Sequence, residues 1–273
     1  MMQTLFALLR TTAATGRLNI AYSGGIDSRF LAHAAQQAGV PCLLFHCSGP
    51  HVPHAETAYA LRWAQQNALP LRLVPCNPLH LPAVATGSKE RCYACKYALF
   101  SQILKDLDGQ SLCDGSNASD TEHFRPGRRA VQELGIISPL SLAGITKAQV
   151  RLLAQQTGLE QPQQPARPCL LTRLPYGLPP SAALLHRLEQ CEATVLSIFA
   201  QSYAKQEQPD FRVRCLGTEQ FVIHCTLMPH EAVLTRLRHA LAALGVCAPV
   251  EKISQLSGFF DRKAPAPNTL DQP

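Results

Sequence analysis

The segment that most restricts the fold is Ala21-Tyr22-Ser23-Gly24-Gly25-Ile26-Asp27-Ser28. It joins an apolar, strand-like run at 18–21 to a helix-like stretch at 29–38. Two adjacent glycines let the chain turn sharply and approach a ligand with no Cβ in the way. The first N–H groups of the following helix have no intrahelical partner and point at whatever anion sits there. Ser23 and Ser28 add hydroxyl donors. Asp27 is suited to steadying the loop or to binding the Mg²⁺ that accompanies polyphosphate. This is the pattern of a pyrophosphate cradle. It is not the Walker sequence, because no Gly-Lys-Ser/Thr follows. A plain glycine turn is the simpler alternative, but the place of the segment in the first strand–helix crossing favours ligand binding.

That crossing opens an alternation. Apolar runs at 18–22, 42–47, 71–76, 111–114 and around 136–137 are separated by helical periodicity at 29–38, 55–67, 95–107 and 146–157. Thr146 with Gln149 forms a capping-box pattern and Gly158 a stop. Strands separated by helices imply an α/β fold with a doubly wound, mostly parallel sheet. Ligands of such sheets bind beyond the carboxyl ends of the strands, where the Gly-Gly loop, Ser48, Asp114 and Ser138 fall. Between 160 and 180 lie six prolines, too many for a helix or central strand. This stretch reads as an active-site loop and domain boundary. Beyond it come a helix at 181–200, a strand pair at 211–215 and 220–226, a helix at 229–244 and a short strand near 250–253. The expected organisation is a nucleotide-binding domain at 1–177, a small α/β domain at 178–263 for substrate or oligomerisation, and a disordered tail at 264–273.

A chain of 273 residues with 46% hydrophobic content buries a substantial core. A net charge of +6 suits anionic ligands such as nucleotides without demanding nucleic acid. The first ten residues are too short to span a membrane and lack the marks of a signal peptide, so they read as a short amphipathic helix. Eleven cysteines, an odd number in a chain of this size, argue against a disulfide scaffold and for a reducing cytoplasm. Cys42, Cys47, Cys76 and Cys113, near strand ends, read as small buried hydrophobes. His46, Cys47, His51 and His54 resemble a metal cluster in composition, but the loop holds Gly49, Pro50 and Pro53, and ordinary loop histidines are expected.

Arg91-Cys92-Tyr93-Ala94-Cys95-Lys96 is the second strong signal. Two cysteines three apart at a helix start can share a metal, and positive flanks favour thiolates. The motif alone fits a zinc half-site, a redox pair or accident. No second Cys-x-x-C exists, so a four-ligand zinc site would need scattered partners. Cys169 sits in a proline-rich loop between Arg167 and Arg173, and those cations favour its thiolate.

Residues 23–28 resemble the PP-loop of ATP pyrophosphatases, which implies cleavage of ATP to AMP and pyrophosphate through an adenylated intermediate. Four segments, 23–28, 91–96, 114–120 with 125–127, and 168–177, together resemble the LarE-like ATP-dependent sulfur transferases. The resemblance runs in order from about 18 to 177. It implies sulfur insertion in nickel-pincer nucleotide synthesis: ATP and Mg²⁺ adenylate a carboxylate of a pyridinium dicarboxylate mononucleotide, and a sulfur nucleophile displaces AMP to leave a thiocarboxylate. It assigns catalysis to Cys169 and Asp27, and nucleotide binding to Ser23, Gly24, Gly25, Asp27, Ser28, Gly115 and Asn117, with Asp120 as a further polar contact. Some members give up the sulfur of the cysteine matching Cys169, leaving dehydroalanine. Others hold a [4Fe-4S] cluster on three cysteines, here Cys92, Cys95 and Cys169, with sulfide on the open iron. The presence of all three favours the cluster form.

Ser48 is a candidate adenine contact, and Arg125 a phosphate or carboxylate contact with a surface salt bridge as its alternative. Arg212 and Arg214 share one strand face. The family's matching Arg-Val-Arg implies that they bind substrate phosphate, although Ile223 and His224 stand where the family tends to place a glutamate. Expected partners are the small nucleotide substrate and a sulfide or cysteine-desulfurase-type donor, within a homo-oligomer and away from membranes. A tRNA-thiolating PP-loop enzyme using a [4Fe-4S] cluster is the alternative reading. It would need a broad basic stripe for RNA, and no RNA-binding module stands out.

Overall fold

The computed structural model describes residues 1–14, 16–122, 126–204 and 207–263. The chain divides into two compact units, Met1–Cys169 and a second beginning at Leu170.

The first unit alternates helix and strand. Its elements are α1 (Met2–Thr12), β1 (Leu18–Ala21), α2 (Ile26–Gln37), β2 (Cys42–Ser48), α3 (His54–Gln66), β3 (Leu71–Pro75), α4 (Pro82–Ala85), α5 (Arg91–Asp106), β4 (Leu112–Asp114), α6 (Gly127–Glu133), α7 (Pro139–Leu142) and α8 (Lys147–Gln156). The four strands form one parallel sheet in the order β3-β2-β1-β4. Neighbouring residues of a strand point to opposite faces, and both faces are covered. Leu18, Ile20, Leu44 and Cys113 pack into one apolar cluster with α1, α2, α3 and α8. Phe45, Val74 and Leu112 pack into another with Phe100 and Ile103 of α5 and Val131 of α6. The unit is therefore Rossmann-like, with the layering the alternating pattern implies.

The chain leaves β1 toward β2 and β3, then returns to β4 on the other side. That reversal opens a crevice at the carboxyl ends of β1 and β4. The Thr146–Gln149 capping box starts α8 as expected. The apolar stretch at 136–137 does not become a strand. It makes a single parallel bridge, Cys113 to Ile137, because Pro139 starts α7 two residues later and ends the extended run. Helix α5 begins at Arg91 rather than Cys95, since nothing between Ser88 and Cys95 breaks it, and both cysteines lie inside its first two turns.

The second unit holds α9 (Ala182–Ser202), β5 (Phe211–Gly217), β6 (Gln220–Cys225), α10 (Glu231–Ala242), β7 (Val250–Lys252) and α11 (Phe259–Lys263). Its mixed sheet runs β5-β6-β7, antiparallel then parallel. Leu188, Val195 and Phe199 of α9, Val213 and Ile223 of the strands, and Leu237 of α10 are buried. The expected tail at 264–273 lies outside the described residues. Among the described residues no helix is long and apolar enough to cross a membrane.

Candidate functional site

The loop after β1 is built around its glycines. Gly24 has a φ of +77°, and a Cβ there would stand 3.0 Å from Cβ of Ala60. Gly25 is the extended N-cap of α2, and among the described residues no side chain caps that helix. The first amides of α2 are thus left for an anion. Ser28 Oγ donates to the Gly25 carbonyl at 3.0 Å and lies 3.3 Å from Ser23 Oγ, so the two hydroxyls form one rim.

Gly115 closes the opposite rim. A Cβ on it would stand 2.9 Å from the Ser28 backbone nitrogen and 3.1 Å from the Asp27 carbonyl carbon. The turn after β4 therefore lies on the start of α2, and only glycine allows that approach. Asn117, buried beside it, donates from Nδ2 to Asp27 Oδ1 at 3.3 Å, and its own amide donates to Asp120 Oδ2. Asp27 Oδ2 also accepts from Lys147 Nζ at 2.5 Å. Lys147 is absent from the residues singled out by motif, because a lone lysine at a helix start carries no pattern of its own. The buried Arg29 ties α2 to the proline-rich stretch, donating to the carbonyls of Glu160 and Gln161 and to Gln164 Oε1. Arg125 lies outside the described residues.

One bond links this loop to the next strand. His46 Nδ1 donates to the Tyr22 carbonyl at 2.9 Å, and its Nε2 meets Thr57 Oγ1 at 3.1 Å. His46 is thus a buried strand residue rather than a loop histidine, and burial lowers its pKa. Ser48, the last residue of β2, accepts from the Cys76 amide at 2.8 Å through its carbonyl.

Cys47 and Cys76, expected as small buried hydrophobes, instead belong to a thiol group, as does His51. The donor atoms of Cys47, His51 and Cys76 all lie within 4.8 Å of one another. His51 Nε2 is 3.9 Å from Cys47 Sγ and 3.7 Å from Cys95 Sγ. Interaction with Cys47 and Cys95 lowers the Cys76 pKa well below the ordinary thiol range, with His51 and His80 nearby adding to the effect. The same interactions, with burial, raise the pKa values of Cys47 and Cys95. Cys169 acts electrostatically on both Cys47 and Cys95, so it belongs to the same neighbourhood. Cys42 and Cys113 are buried thiols with raised pKa values, as their apolar settings imply. Glu56, expected on a solvated face, pairs with Arg167 at 2.9 Å.

The three cysteines expected to hold a [4Fe-4S] cluster meet this geometry unevenly. Cys92 and Cys95 stand one turn apart on the same face of α5, and Cys95 and Cys169 share a neighbourhood. A cubane places each thiolate on a separate iron and so keeps the sulfurs apart. Cys95 Sγ also lies 3.7 Å from His51 Nε2.

In the second unit Arg212 and Arg214 share one face of β5. Arg214 is buried, donating to His224 Nδ1 and to the Leu256 carbonyl, with its guanidinium over the Phe259 ring. His224 Nε2 in turn meets Glu251 Oε2 at 3.2 Å. His224 of β6 is thus backed by a carboxylate from β7. Burial first, then Arg173 and Arg212, lowers the Arg214 pKa to about 10. Arg212 donates to the Phe211 carbonyl at 2.6 Å.

A parallel α/β unit with an uncapped Gly-Gly helix start and a sulfur-rich wall is the class these features define. No family model matches the chain. It is 33% identical over 180 residues to an uncharacterized protein of Synechocystis sp., covering 64% of this chain and 67% of that protein. It is 28% identical over 196 residues to an uncharacterized protein of Methanocaldococcus jannaschii, covering 69% and 71%. It is 26% identical over 168 residues to the pyridinium-3,5-bisthiocarboxylic acid mononucleotide synthase of Lactiplantibacillus plantarum, covering 59% and 60%. The chain belongs to the family of the Synechocystis protein, and its similarity to the synthase supports a LarE-like family.

Proposed function

We propose that the protein is an ATP-dependent sulfur transferase acting on a carboxylate of a pyridinium dicarboxylate mononucleotide, as in nickel-pincer cofactor synthesis. The observation that carries this reading is the pairing of an uncapped Ser-Gly-Gly helix start with a cysteine-rich group on the neighbouring strand. Similarity to the synthase supports it at the level of the family.

In this reading the α2 amides, with Ser23 and Ser28, hold the phosphates of ATP, and Asp27 would hold the Mg²⁺ that neutralises their charge. A carboxylate oxygen of the acceptor attacks the α-phosphorus, the bond to the β-phosphate oxygen breaks, and pyrophosphate leaves. Lys147, beside Asp27, stabilises the charge that builds on the α-phosphoryl oxygens. A thiolate then attacks the acyl carbonyl, and AMP departs with the former carboxylate oxygen. Arg212 would take the substrate phosphate, and Arg214 braces its strand.

The resemblance offers two sulfur sources: sulfide on a [4Fe-4S] cluster held by Cys92, Cys95 and Cys169, or the sulfur of Cys169 itself. The second needs no group beyond the chain's own residues. Cys169 then forms a thioester with the acceptor. Loss of its α-proton breaks the Cβ–S bond, leaving a thiocarboxylate and dehydroalanine. Incubation with ATP, Mg²⁺ and a carboxylated pyridinium mononucleotide tests this. The expected products are AMP, pyrophosphate, an acceptor with sulfur in place of oxygen, and dehydroalanine at Cys169. Turnover with intact Cys169 rejects the sacrificial step, and thiolation of tRNA rather than the mononucleotide rejects the acceptor.

A further inference from the structure

We infer that Cys47, His51, Cys76 and Cys95 form a mononuclear, tetrahedral metal site for a borderline-soft divalent ion of the zinc class.

The spacing carries the inference. Four ligands at about 2.3 Å from one tetrahedral ion stand about 3.8 Å from each other. His51 Nε2 lies 3.9 Å from Cys47 Sγ and 3.7 Å from Cys95 Sγ. Cys76 Sγ lies within 4.8 Å of the donor atoms of both Cys47 and His51, and Cys76 and Cys95 interact electrostatically. Two edges of a tetrahedron thus have the length one ion imposes, and the two that Cys76 makes with Cys47 and His51 lie within 4.8 Å.

The ligands come from three places that the fold has to bring together. Cys47 lies at the end of β2, with His51 in the loop after it. Cys76 follows β3, and Cys95 lies one turn into α5. The approach is specific: a Cβ on Gly49 would stand 1.8 Å from the Cys76 carbonyl oxygen. Only glycine there lets the His51 loop lie on the backbone of Cys76. His51 is 4% exposed, and its buried Nδ1 has no hydrogen-bond partner among the described residues. Its ring is therefore oriented toward the sulfurs with no competing polar contact to explain it. Three soft thiols with one imidazole select zinc-class ions over magnesium or calcium. These are the scattered partners that the lone Cys-x-x-C lacked.

The site does not depend on the sulfur-transfer reading and can be tested without turnover. The full chain is purified anaerobically, and its zinc, iron and acid-labile sulfide are counted. One zinc per chain, with iron and sulfide absent, is expected. Replacement by cobalt(II) should give the visible bands of a tetrahedral thiolate site. Cys76→Ser and His51→Gln should each weaken zinc binding at least tenfold, measured against a chromophoric chelator, whereas Cys169→Ser and Cys92→Ser should retain it. Circular dichroism separates loss of metal from loss of fold, and His51→Gln supplies a milder variant if Cys76→Ser unfolds. Four irons and four sulfides per chain would overturn the inference. So would zinc binding that survives Cys76→Ser and His51→Gln, or a purified chain that neither contains zinc nor takes it up.

Discussion

Lys147 Nζ sits 2.5 Å from Asp27 Oδ2, which places the first residue of α8 against the start of α2. The pair is partly exposed, so its worth to stability is modest. Its worth to catalysis is expected to be larger. Lys147→Ala should lower acceptor-dependent pyrophosphate release by roughly 10²–10³-fold, with the melting temperature little changed. A rate within a few-fold of the original removes Lys147 from the phosphoryl-transfer step.

Gly115→Ala sets a Cβ 2.9 Å from the Ser28 nitrogen. Backbone, not a flexible side chain, must give way. The substitution should cost about 1–3 kcal/mol of stability and weaken ATP binding. Gly135→Ala is the control, since its Cβ would meet nothing within 4 Å and carries only the strain of a φ of +62°. Equal loss of ATP affinity in both variants would show that contact with α2 is not the cause.

The layered architecture was legible because parallel strands buried on both faces read as apolar runs and their crossovers as periodic helices. The tight turn into α2 was legible because two adjacent glycines before a helix-like stretch mark a sharp change of chain direction. The thiol group was not. Cys47, His51 and Cys76 stand in two different crossovers, and each by itself reads as a buried residue or a loop residue. Their meeting depends on β2 and β3 lying side by side and on Gly49 admitting the Cys76 backbone, which no local spacing encodes. Lys147 was hidden for the same reason, being adjacent to Asp27 in space and 120 residues away in sequence.

Arg214 depends on His224. The buried guanidinium donates to His224 Nδ1, and its Nε already has no hydrogen-bond partner among the described residues. His224→Ala should destabilise the chain by about 2 kcal/mol, because a second face of a buried cation is left without an acceptor. Glu251→Gln, at the exposed end of the relay, should cost far less. Denaturant titration distinguishes the two, and equal losses contradict the relay.

His33 predicts the sign of one part of the pH dependence. Its Nε2 lies 3.1 Å from the Thr157 carbonyl, and burial lowers its pKa below the ordinary 6.5. As pH falls past that value the unfolded chain takes up the proton first. Stability is therefore full above about pH 6.5 and declines through the lower, folded pKa. His46, also lowered by burial, acts in the same direction. His33→Gln should reduce the acid-side slope of unfolding free energy without abolishing it. An unchanged slope would assign the loss to the other histidines.

Adenylation of a carboxylate is the step on which the functional reading stands. It is tested most directly by supplying an acceptor whose carboxylate carries oxygen-18 and following the label through one turnover with ATP and Mg²⁺. The reading predicts one labelled oxygen in the phosphate of AMP and none in pyrophosphate. AMP released without label, or label found in pyrophosphate, contradicts it.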